Sequence, residues 1–103
     1  MRKLTLKRKW SLIECASRIY LYVQSPIEQA DTEIDGIDCK ALGRLKNGKT
    51  VTVDIPDEAT AVFVVSSTMQ ASYTIPAGAT DVSLLAKPAY NPAQGNPFTI
   101  SEN

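Results

Sequence analysis

The stretch "DTEIDGID", residues 31 to 38, holds the densest set of carboxylate oxygens in the chain. Asp31, Glu33 and Asp35 alternate and Gly36 follows, which matches the first, third, fifth and sixth positions of a helix–loop–helix calcium loop. The twelfth position of such a loop must supply a bidentate Glu, and here it is Leu42. The eighth position, apolar in such loops, is Asp38, and the flanking residues alternate like strands. Asp35-Gly36 is also a preferred pair for a tight hairpin turn. The acids are therefore read as polar positions on a turn between two strands. A weak, non-helical calcium site formed by Asp31, Glu33 and Asp35 is the alternative. Nothing in a solvated turn would displace these carboxyl groups toward acid–base catalysis.

The rest of the chemical inventory is thin. The chain has no histidine. That excludes Ser-His-Asp and Cys-His nucleophile systems, imidazole metal ligands and the commonest general acid–base group. Cys15 and Cys39 are too few for a disulfide scaffold and are expected as small buried thiols. "GRLKNGKT", Gly43 to Thr50, satisfies the letters of a phosphate-binding loop. That loop works only between a strand and a helix, and "VTVDIP" follows here, which alternates as a strand does. Tyr20 and Tyr22 lie two apart on one strand and so share a face. Such a pair can stack on a sugar or a base, or it can simply pack beneath a loop. Tyr90 and Phe98 bracket a Pro-Asn-Gly loop that they are expected to pin.

The elements that must position these groups are strands. In "RKLTLKRKW", Arg2, Leu4, Leu6, Arg8 and Trp10 share one face and Lys3, Thr5, Lys7 and Lys9 the other, the period of a half-buried strand. Its five basic residues suggest a solvated edge strand, since lysine on an edge discourages strand addition. "RIYLYV" is aromatic and β-branched. "CKALGRLKNGKTVTVDI" reads as a hairpin closed by Asn47-Gly48 in a type I′ turn, with Val51, Val53 and Ile55 alternating after it. "TAVFVVSS" is continuously apolar in its middle, as a central strand is. "ASYTIPAG", "DVSLLAK" and "FTIS" are further short strands, and "SPIEQADTE" admits one helical turn begun by Pro26. Turn signals recur every ~8–12 residues, which predicts an antiparallel β-sandwich, or an open barrel, of about seven to eight strands, of the immunoglobulin-like kind.

With 103 residues, 44% apolar and 21% charged, the chain is expected to form a single globular domain. The basic start is interrupted by Glu14 and Arg18 before any signal-peptide core is long enough, and no stretch reads as a transmembrane helix. A cytoplasmic location is the expectation. Formal net charge is zero, with basic residues at 1–9 and acids at 28–38. A nucleic-acid reader would show a basic face across the domain, so no nucleic-acid partner is expected.

Residues 33 to 65, "EIDGIDCKALGRLKNGKTVTVDIPDEATAVFVV", resemble small bacterial PEGA-like sandwich domains. The resemblance rests on an Asp-Gly turn, a Gly-x-Leu-x-Asn-Gly-Lys segment and two apolar strands. "IPDEAT" departs from it where a Pro-Gly-rich turn would be expected. The whole chain is similar to stand-alone domains of Gram-positive bacteria. The resemblance implies a non-catalytic, surface-presenting module without a cofactor. Together these readings predict a protein-interaction or self-associating module, not an enzyme. The alternative is a ligand-binding module for carbohydrate or calcium through Tyr20 and Tyr22 or the 31–38 acids.

Overall fold

A computed structural model describes residues 1–10, 18–66, 70–88 and 98–103. Cys15, Tyr90 and the loop that Tyr90 was expected to pin lie outside the described residues. Among the described residues, nine strands form two sheets. One sheet contains β1 (Arg2–Arg8), β5 (Thr50–Ile55), β8 (Val82–Pro88) and β9 (Phe98–Glu102) in the order β5-β1-β8-β9. The other contains β2 (Tyr20–Gln24), β3 (Thr32–Ile34), β4 (Ile37–Arg44), β6 (Thr60–Val65) and β7 (Gln70–Ile75) in the order β3-β4-β2-β6-β7. The fold is all-β and is a sandwich of these two sheets. It departs from an all-antiparallel arrangement at one place, where β1 runs parallel to β8. Ile27–Gln29 form a single 3-10 turn after Pro26, as the fixed φ of proline favours.

Between the sheets lies the main core. Leu4, Leu6, Ile55, Leu84, Ala86 and Phe98 come from the four-stranded sheet, and Leu21, Val23, Val62, Val64 and Ile75 from the five-stranded one. The alternation in β1 is as read: Arg2, Leu4, Leu6 and Arg8 are buried, and Lys3, Thr5 and Lys7 face outward. The edge position expected for it is wrong. β1 is an interior strand, paired with β5 on one side and β8 on the other. Its lysines are outward because that face of the sheet is solvated. Trp10 is also not part of the buried face: it lies beyond the strand and is 61% exposed.

The Asn47-Gly48 reading needs a second correction. β4 and β5 do not pair; they belong to different sheets, and the turn between them carries the chain across the sandwich. The Lys49 N–H donates to the Lys46 carbonyl at 2.9 Å, so residues 46–49 form a β-turn. Only Gly48, at φ +74°, has positive φ there. Positive φ at the third turn residue alone is the type II pattern, not type I′. A Cβ on Gly48 would also come within 3.3 Å of the Trp10 ring. Gly48→Val is expected to destabilise the protein by about 1–2 kcal/mol from the left-handed backbone alone. An unchanged melting temperature would contradict this turn.

Candidate functional site

The opening acidic stretch is a hairpin. Ile34 pairs with Ile37, and Asp35 and Gly36 between them have φ of 52° and 80°. Two successive positive φ values make this the type I′ turn. Asp31 Oδ2 accepts from the Ala41 N–H at 3.2 Å, and Asp35 Oδ2 accepts from Gln70 Nε2 at 2.8 Å. Glu33 stands opposite Asp38 in the register, a like-charged cross-strand pair. Among the described residues, no group of three or more His, Cys, Asp or Glu side chains is placed to hold a metal ion.

The Asp35–Gln70 bond has a geometric consequence. β3 and β7 are opposite edges of the five-stranded sheet. Flat strands at the usual spacing would hold those edges roughly 19 Å apart. The β3–β4 hairpin therefore curls over the outer face of its own sheet. Beneath it lies a second apolar cluster of Cys39, Ala61 and Phe63, with Tyr22, Ile34, Ile37 and Val65 packed against it. Tyr22 belongs to this cluster and is half-buried, whereas Tyr20 is 40% exposed. The two tyrosines share a face, as their spacing dictates, but differ in surroundings. Cys39 is a free thiol with no solvent exposure, and its Sγ donates to the Ile37 carbonyl at 3.4 Å. Burial raises its pKa, against a smaller opposing effect of a backbone hydrogen bond at Ile34, and the Asp38 carboxylate adds to the rise. Cys39 is expected to resist a soluble thiol reagent until the protein unfolds. Modification of the folded protein at that residue, found by peptide mapping, would contradict the second cluster.

Both arginines of β1 act as internal clamps. Arg2 donates from Nε to the Pro56 carbonyl at 3.0 Å, and from one terminal nitrogen to the Glu58 and Pro76 carbonyls at 3.0 and 2.8 Å. It thus ties the β5–β6 and β7–β8 connections together. Arg8 donates to the Leu45 carbonyl at 3.0 Å, and its guanidinium carbon lies 5.1 Å from the centre of the Phe98 ring. These two cations sit inside the sandwich and are not part of a basic surface.

Among the described residues the two sheets have four edge strands, and they differ in protection. β3 is only three residues long, one of the ways proteins blunt an edge. β7 and β9 lean on each other where the two sheets meet, and the Tyr73 hydroxyl lies 3.3 Å from Glu102 Oε1. β5 has neither device.

The direction of the β5 backbone groups follows from one bond. The Arg8 N–H donates to the Lys49 carbonyl at 2.9 Å, which makes that pair hydrogen-bonded in the antiparallel β1–β5 ladder. Hydrogen-bonded and non-bonded pairs alternate. Val51, Val53 and Ile55 therefore direct their N–H and C=O groups to β1. Those of Thr50, Thr52 and Asp54 point away from it, toward the open side. Among the described residues none hydrogen-bonds to these outward groups. The side chains of Thr50, Thr52 and Asp54 are exposed on the outer face of the sheet.

Alongside this edge runs a cleft of about 330 Å³, lined by Val23, Leu42, Val53, Ile55, Pro26 and Pro56 among others. It opens between β4 and β5, which the turn at 46–49 has placed on separate sheets. Ile27, 74% exposed, stands in the 3-10 turn next to Pro26. A shallower depression continues past Pro26 and Pro56 to Ala59 and Thr60. The arrangement offers backbone donors and acceptors next to apolar surface, with Lys40 and Asp54 also among the residues that line the cleft. The sequence marks β5 as an alternating strand but not as an open edge, and it gives no sign of the cleft. The signal available was the absence of lysine or proline within "TVTVDI".

No protein-family model matches this chain, and no curated protein is similar to it in sequence. No helix among the described residues is long and apolar enough to cross a membrane.

Proposed function

We propose that the protein is a non-enzymatic interaction module that takes an extended strand onto the free edge of β5. The observation that supports this best is the row of outward N–H and C=O groups at Thr50, Thr52 and Asp54 beside an apolar cleft. Main-chain hydrogen bonds to such an edge supply affinity, and the neighbouring apolar surface takes alternate side chains of the incoming strand. A reducing compartment such as the cytoplasm suits a chain in which Cys39 is a buried free thiol.

Thr52→Pro tests the reading. The Thr52 N–H points away from β1, so proline there removes an edge donor without breaking a ladder bond. Wild type and Thr52→Pro, each immobilised, would be exposed to the same cell extract. The circular dichroism of the variant should match the parent, and proteins retained by the parent should be lost. Retention of the same proteins by both would place the interaction elsewhere.

A further inference from the structure

We infer that the strand received by β5 is β5 of a second copy, in an antiparallel register centred on Thr52 and related by a two-fold axis. This rests on the strand-accepting reading above and specifies its occupant. The backbone decides which registers are allowed. An antiparallel ladder needs residues with outward groups opposite one another, and on β5 these are Thr50, Thr52 and Asp54. Centring on Thr52 satisfies all three: Thr50 faces Asp54 of the second copy, Thr52 faces its own equivalent, and Asp54 faces Thr50. Shifting either strand by one residue sets outward groups against inward ones and loses the ladder. Shifting by two leaves one outward residue of each copy beyond the paired segment.

Side chains agree with that register. Thr52 against Thr52 is a favourable cross-strand pair. Val51 falls opposite Val53, which keeps the inner face apolar where each copy carries its cleft. On the outer face Asp54 is bonded to Lys3 of its own chain at 3.1 Å. Its new neighbour, Thr50 of the other copy, is followed in the same row by Lys7, since Lys7 pairs with Thr50 in the β1–β5 ladder. Each Asp54 thus lies between a lysine of its own chain and one from the second copy, and no like charges meet. A two-fold axis is the usual symmetry of such an interface. The four-stranded sheet would become one continuous sheet through both copies.

The test is sedimentation over a range of protein concentrations with Thr52→Lys and Thr52→Glu, both at an exposed position. Each variant alone places like charges face to face across the axis, while a mixture places Lys against Glu. The expected result is a wild-type dimer, at least a tenfold weaker association for each variant alone, and recovery of dimer in the mixture. In a background without Cys15 and Cys39, Thr52→Cys should cross-link to itself. Thr50→Cys should cross-link to Asp54→Cys but not to itself. A dimer indifferent to both charge variants would overturn the proposal. So would a protein that stays monomeric at every concentration. In that monomer, rapid amide exchange at Thr50, Thr52 and Asp54 would leave the edge available to another protein's strand. Protected amides there would remove the strand-accepting reading as well.

Discussion

Val64→Asp is expected to abolish folding. Val64 is 2% exposed in β6, which is paired with β2 on one side and β7 on the other, and it faces the main core. Losing the buried valine removes roughly 1.5–3 kcal/mol of apolar burial. The larger effect is the carboxylate, whose unpaired burial costs several kcal/mol more or forces it to take up a proton. A domain of this size has a total stability of only about 5–15 kcal/mol. The variant should be insoluble, or show no cooperative thermal transition by circular dichroism. A soluble variant with a sharp transition near that of the parent would mean that β6 is not an interior, core-facing strand.

Arg2→Met should cost about 2–4 kcal/mol while leaving the protein folded. The guanidinium supplies donors to three main-chain carbonyls, of Pro56, Glu58 and Pro76, and Arg2 as a residue is 4% exposed. Methionine fills much of the space occupied by the arginine stem but has no donor. Each carbonyl left dry costs about 1–3 kcal/mol, reduced where water can enter the ends of the loops. Chemical denaturation should show a lower midpoint. Hydrogen exchange should quicken at the Gly78 amide, whose 2.8 Å bond to the Asp57 carbonyl joins the same two connections. An unchanged midpoint would show that Arg2 does not clamp the loops.

Local chemistry was legible in the sequence. Asp35-Gly36 closes a hairpin because both residues can take positive φ, and Pro26 opens a single turn because its φ suits one. The continuous apolar run of β6 marked a strand flanked on both sides. What could not be read was which strands share a sheet. Asn47-Gly48 announces a turn, yet a turn does not state whether the next strand returns beside its predecessor or crosses the sandwich. The alternation in β1 is the same for an edge strand as for an interior strand with one wet face, so its lysines were read as edge protection. The parallel β1–β8 pair joins residues far apart in sequence and leaves no local mark. The second apolar cluster shows only faintly, in Cys39 and Phe63, whose burial depends on a hairpin curling back over its own sheet.

The open edge was hidden for the same reason. Six residues of alternating valine and polar side chains look alike whether one or two neighbours bond to them. What distinguishes β5 is the company its sheet keeps: β1 occupies one side, and after the crossing from β4 no strand among the described residues pairs with the other. Its exposed row of amides and carbonyls supports the interaction reading.

The most direct measurement is residue-resolved amide exchange along Thr50 to Ile55 in dilute protein. Val51, Val53 and Ile55, bonded to β1, should exchange slowly, and Thr50, Thr52 and Asp54 should exchange far faster. Raising the protein concentration should slow the fast set alone. Slow exchange of all six amides at every concentration would contradict the account, because the edge of β5 would then be covered within the chain.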